Sequence, residues 1–80
     1  MPRRKQIRDL PLTPVARLLK KGGAKRVSKE ATIYTVDILE RICTWLGREA
    51  ASFARHAGRN TIKREDVELA VRGLLKELPA

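Results

Sequence analysis

SKEATIYTVDILERICTWLGREAASFARHAG, Ser28 to Gly58, is the stretch whose reading decides the fold. Ser28 is an N-cap residue, whose hydroxyl accepts a hydrogen bond from an unpaired N–H of a helix's first turn, and Gly58 supplies the left-handed backbone that ends helices. Nothing between them stops a helix: there is no proline, and the one internal glycine, Gly47, only weakens the pattern. The stretch predicts a single helix of roughly 28 residues, about 42 Å long at 1.5 Å per residue. A compact domain of this size has a radius of gyration of only about 12 Å, so the helix is too long for its own domain. Its apolar positions, among them Ile33, Val36, Leu39, Trp45, Ala50 and Ala54, cover far more than one stripe. Two short flanking helices cannot shield them all. The simplest closed solution is a twofold dimer in which two such helices cross antiparallel around Ile42 and Cys43, with Ile38, Ile42, Cys43 and Leu46 as the dimer core. Gly47 would allow close approach near that crossing.

The flanks read as two shorter helices. Thr13 followed by Pro14 resembles an N-cap with proline at the first helical position, which predicts a helix over about Pro14 to Lys21, ended by Gly22 and Gly23. Lys25, Arg26 and Val27 form a short extended link. Arg64 to about Glu77 is the third helix, with Val67, Leu69, Ala70, Val71, Leu74 and Leu75 apolar and Pro79 as its stop. The fold class is all-α: short helix, long helix, short helix. Met1 to Asp9, with Arg3, Arg4, Lys5 and Arg8 and little apolar content, reads as a basic flexible tail ahead of a domain over residues 10–78.

Composition narrows the function. The chain has 80 residues, with 18 Lys and Arg against 9 Asp and Glu, a formal charge of +9. Such a surplus favours polyanions through long-range attraction and counterion release. No apolar run is long enough to span a membrane and no signal-peptide core follows the charged start, so an intracellular protein without a membrane partner is expected. Cys43 is the only cysteine and His56 the only histidine, which leaves no disulfide framework and no metal ligand set. Cys43 reads as a small hydrophobe rather than half of an intersubunit disulfide, because intracellular thiols stay reduced. There is no nucleophile paired with a base, no glycine-rich phosphate loop and no carboxylate pair, so no enzyme, no catalytic residue and no cofactor are expected. One each of Phe, Trp and Tyr is too few aromatics for a single-strand binder that stacks bases. Duplex DNA held through its phosphates is the better fit.

The basic residues fall into two acid-free segments. Arg17 to Lys29 contains Arg17, Lys20, Lys21, Lys25, Arg26 and Lys29, and Arg55 to Arg64 contains Arg55, Arg59, Lys63 and Arg64. A merely solvated face would mix the signs more. The second segment opens RHAGRNTIKREDVELAV, Arg55 to Val71, which joins a helix end, a basic loop and the acidic first turn of a new helix at Glu65 and Asp66.

These segments carry a resemblance. LPLTPVARLLKKGGAKRVS, Leu10 to Ser28, and ARHAGRNTIKREDVELAV, Ala54 to Val71, look like the corresponding stretches of archaeal-type histones, and the residues between fit that family's spacing without a gap. The resemblance covers about Leu10 to Leu74. It implies the histone fold, a handshake homodimer or a pairing with a histone paralogue, duplex DNA bent around the dimer with little sequence preference, stacking of dimers into higher oligomers, and a place on the chromosome in the cytoplasm. Position by position, it makes Arg26 the arginine that enters the minor groove and Thr61 the threonine that holds such an arginine. Arg17, Lys20 and Lys63 match phosphate-facing positions, with Lys25 and Asn60 in the same DNA-binding loops. Arg59 and Asp66 match a pair that clamps the second loop to the third helix. Phe53, His56, Asp66 and Leu69 fall where dimers meet.

The chain departs from the family in places. Asn60 stands where lysine is common, Lys21, Lys25 and Lys29 where acidic or neutral residues are frequent, and Phe53 is bulkier than an aliphatic residue. Leu74, Leu75 and Leu78 extend past the shared core. Two other functions compete with DNA packaging: a histone-fold subunit of a heteromeric transcription-related complex, and an RNA- or ribosome-associated basic protein. The set at Arg26, Thr61 and Lys63 argues for DNA wrapping over the first, and the long shared helix argues against the second.

Overall fold

The computed structural model describes residues 8–77. Three helices follow one another: α1 (Leu12–Lys21), α2 (Lys29–His56) and α3 (Arg64–Glu77), with no strand among the described residues. The chain divides into two compact units, Met1–Arg41 and Ile42–Ala80, so that α1 and the first part of α2 belong to one and the rest of α2 and α3 to the other. The helix from Ser28 to the Gly58 stop has the expected length of 28 residues. Most of the proposed tail, residues 1–7, lies outside the described residues, as do Leu78 and the stop at Pro79.

In the first unit, α1 starts two residues earlier than its sequence signals suggest. Thr13 is not the N-cap: Pro11 takes that place in extended geometry (φ −72°, ψ 149°) and no side chain caps the helix. Pro14 is then the third helical residue, where its missing N–H belongs to the first turn and leaves no bond of the helix unmade. Contacts to α2 fix this start. The Leu10 N–H donates to Glu40 Oε2 at 2.8 Å, and Arg8 Nε donates to Asp37 Oδ1 at 3.3 Å. Arg8, read from sequence as part of the tail, is thus held on α2. At the start of α2, Ser28 Oγ accepts the Ala31 N–H at 3.0 Å, the N-cap bond that satisfies a first-turn donor. Val15, Val36 and Thr32 are buried, and the Thr32 hydroxyl donates to the Ser28 carbonyl at 3.2 Å. A buried hydroxyl without a partner is costly; this one has one.

In the second unit, α2 ends in a Schellman motif. Gly58 has φ +76°, its N–H donates to the Arg55 carbonyl, and the Arg59 N–H reaches back to Ala54, both at 2.9 Å. The buried apolar residues here are Ala50 and Ala54 on α2 and Ala70 on α3. Small residues at the buried positions of both helices allow their backbones to lie close. Trp45 is half-buried, its Cη2 lying 3.9 Å from where a Cβ on Gly73 would stand.

Each unit leaves large apolar side chains in solvent. Tyr34 is 69% exposed and Leu18 61% in the first, and Leu75 is 60% exposed in the second. Among the described residues, no helix is long and apolar enough to cross a membrane.

Two glycines of the second unit make opposite expectations. Gly58 needs the left-handed region, where an L side chain costs about 1–2 kcal/mol, so Gly58→Ala is expected to destabilise the fold by about that much. Gly73 sits inside α3 with only ordinary contact distance around an added Cβ, so Gly73→Ala is expected to stabilise by about 0.5–1 kcal/mol. Urea unfolding followed by circular dichroism measures both.

Candidate nucleic-acid interface

The basic residues sit on helix ends and on the links that follow them. On α1, Arg17 and Lys20 are exposed, and the chain turns at Gly22 and Gly23 into Lys25 and Arg26, both exposed. Val27 is half-buried and lines a shallow depression with Leu12, Thr13, Ala16, Lys29 and Thr32. It anchors the link while the two basic side chains before it stay in water. None of Arg17, Lys20, Lys25 or Arg26 takes part in an ion pair among the described residues.

The second loop, between α2 and α3, is organised around one carboxylate. Asp66 is 2% exposed. Its Oδ2 accepts Arg59 Nη1 at 2.8 Å and its Oδ1 accepts Nη2 at 3.1 Å, a bidentate fork that matches the planar guanidinium. Oδ2 also accepts the Lys63 N–H at 2.8 Å. Lys63 is the residue before α3 and Asp66 its third helical residue, so the carboxylate reaches back to the N-cap amide as in one half of a capping box. Arg59 Nη1 donates as well to the Thr61 carbonyl at 2.9 Å. Arg59 is therefore committed to the protein, with both ends of the loop tied to one acid.

The electrostatics follow from these bonds. The Arg59 hydrogen bonds, then the Lys63 amide, hold the Asp66 carboxyl down at about 2, against the opposing effect of burial. The Arg59 guanidinium is raised in turn, mainly by its hydrogen bonds to Asp66. Asn60, Thr61 and Lys63 are left with their side chains exposed on a fixed backbone. The exposed Arg64 pairs with Glu68 one turn on, at 3.1 Å, and exposed pairs of this kind contribute little.

The other residues singled out from sequence lie as follows. Phe53 and Leu69 are 38% and 41% exposed. His56 is exposed too, with Nδ1 2.8 Å from the Ser52 carbonyl, to which this nitrogen donates. Ile38, Ile42 and Leu46 are half-buried within the single chain and Cys43 is exposed as a free thiol. A Cβ on Gly47 would meet nothing within 4 Å. Sequence reasoning missed Asp37 and Glu40 as anchors of the segment before α1. The available signal was a carboxylate at Glu40 one turn after the apolar Val36, on the same face of α2, where a merely solvated acid is out of place.

Helix, loop, long helix, loop, helix, with the second loop tied to the first turn of the last helix, defines a class, and comparison with known proteins agrees. Residues 8–71 match the family model described as histone-like transcription factor (CBF/NF-Y) and archaeal histone. The chain belongs to this histone-fold family. It is similar to one of the subunits of the archaeal histone HAN1 from Thermococcus zilligii, at 48% identity over 64 residues, covering 80% of this chain and 96% of the relative. Probable archaeal histone 3 of Methanocaldococcus jannaschii is 46% identical over 65 residues, 81% of this chain and 97% of its own. Histone H4 of Dictyostelium discoideum is 29% identical over 69 residues, covering 86% and 64% respectively.

The depressed Asp66 carboxyl sets an acid limit. A group whose folded value lies below its unfolded value of 3.8 contributes stability that is complete above about pH 4 and is lost as the pH falls toward about 2. Thermal unfolding is therefore expected to move to lower temperature through that window. Asp66→Asn is expected to unfold at lower temperature than the parent protein at pH 7 and to show a smaller further drop between pH 4 and pH 2. Equal acid sensitivity in the two proteins would remove Asp66 as the source.

Proposed function

We propose that this chain is a DNA-packaging histone, a dimer that bends and compacts chromosomal duplex DNA with little sequence preference. The observation that carries the reading is the second loop: Asp66 ties Arg59 and the Lys63 amide, so Thr61 and Lys63 are presented on a preset backbone and no entropy is spent ordering the loop when phosphate arrives. Relatives at 46–48% identity named as archaeal histones support it over a member of a transcription-related complex. Binding, not catalysis, is the role assigned.

The residues take these parts. Arg26 enters a minor groove, where negative potential is focused, and Thr61 of the second loop holds such an arginine. Arg17, Lys20, Lys25, Asn60 and Lys63 meet phosphates and sugars, which position the protein without reading sequence. The homodimer forms through Ile38, Ile42, Cys43 and Leu46 of α2. Leu39, 38% exposed in the single chain, supports a covering partner. Phe53, His56 and Leu69, exposed in the single chain, form the contact by which dimers meet on DNA; Asp66, expected there as well, is buried under Arg59 and serves that contact only by holding the loop beside it. The basic segment over residues 1–9 adds charge.

Nuclease digestion of long duplex DNA saturated with the protein tests the reading. Regularly spaced protected fragments are expected, and no protection at all would overturn it. Arg26→Ala is expected to weaken binding on every DNA sequence alike, with the slope of log affinity against log salt falling by about 1 per chain, about 2 per dimer, and the dimer intact in sedimentation. Normal affinity in this variant would remove Arg26 from the groove.

A further inference from the structure

The second unit carries charge that neither its loop nor its proposed protein contacts use. At 100° per residue, Ala50 and Ala54 mark the buried face of α2, and Arg48 and Arg55 stand about 160° and 140° around the helix from Ala50. Both arginines are exposed, and neither takes part in an ion pair among the described residues. From residue 42 to residue 56 this far face holds the exposed Thr44, Arg48 and Arg55 and the half-buried Ala51 and Ser52, with no carboxylate, and Trp45, packed toward Gly73, borders it. The positions assigned to contacts between chains, Ile42, Cys43, Leu46, Phe53 and His56, fall outside it by the same count. The sequence repeats the seven-residue spacing once more at Arg41.

A face kept only for solubility needs charge of either sign, and lysine or glutamate serves it as well as arginine. Arginine is distinguished by a planar, weakly hydrated guanidinium that grips phosphate bidentately. Arg48 and Arg55 lie about 10 Å apart along the helix, a separation their long side chains can adjust to phosphates of one duplex. The geometry points to a second duplex-binding face on α2, through Arg48 and Arg55, with which the protein holds a further DNA segment beside the one gripped by its loops. The inference rests on the DNA-binding reading above and extends it from wrapping to bridging. Each chain of a dimer carries this face, so one dimer on its wrapped DNA presents it twice.

The test uses the full-length protein, a bead-tethered duplex and a free labelled duplex at moderate salt. The parent protein is expected to bind the tethered duplex and to carry the labelled one with it. Arg48→Glu combined with Arg55→Glu is expected to keep its fold by circular dichroism and its binding to the tethered duplex, with capture of the second duplex falling tenfold or more. Arg72→Glu combined with Lys76→Glu makes the same change in charge at exposed sites on α3 and is expected to retain capture. Equal capture by the α2 variant, equal loss in the α3 control, or binding of the tethered duplex by the parent protein without capture would each overturn the inference. Failure of the parent protein to bind the tethered duplex would instead overturn the DNA-binding reading itself.

Discussion

The structure depends first on the continuity of α2. Twenty-eight residues of helix without a break place apolar side chains on more of the surface than the chain itself covers. Val36, Ala50 and Ala54 of α2 are buried by the chain's own residues, while Leu39 and Phe53 are each 38% exposed and Ile38, Ile42 and Leu46 stay half-buried. A small domain has little core to spare, and oligomerisation is one of the few ways to add to it without disulfides or metals. The length of one helix therefore leaves apolar surface that the single chain does not cover.

A second pattern governs charge. The chain spends carboxylates on its own architecture: Asp37 on Arg8, Glu40 on the Leu10 amide, Asp66 on Arg59 and the Lys63 amide. The basic side chains of both loops are left facing water, apart from Arg59. Tying these three acids to the chain's own amides and arginines while the loop cations stay in water leaves the loops positive, and the one fully buried acid, Asp66, is paired; an unpaired buried charge would be far more expensive than any surface pair is worth. Asp66 is the strongest case because one buried carboxylate serves both as the cap of α3 and as the anchor of the loop before it.

Much of the fold was legible in the chain because its signals are local. Ser28 and Gly58 bound α2 through hydrogen bonds to residues three to five positions away, Ala31, Arg55 and Arg59 to Ala54 among them, and such bonds leave their mark in short stretches of sequence. The start of α1 did not yield in this way. Thr13 and Pro14 mimic a cap, yet the chain was already helical at Leu12, since Leu10 was fixed by a carboxylate 30 positions away. A local motif loses when a distant partner fixes the chain just ahead of it.

Of the candidate interface, the sequence showed which residues are charged and where they cluster, and the family resemblance proposed the pairing of Arg59 with Asp66. Spacing alone could not tell that Arg59 is consumed within the loop while Lys63 gives Asp66 its amide and keeps its side chain free. By itself, then, the sequence determined three helices, their all-α class and the charge of the surface, since caps, periodicity and composition act over a few residues. Only the tertiary structure decided which acids are spent, which cations remain in water and which face of α2 is left arginine-rich, because burial and ion pairing depend on groups that meet only when the chain has folded.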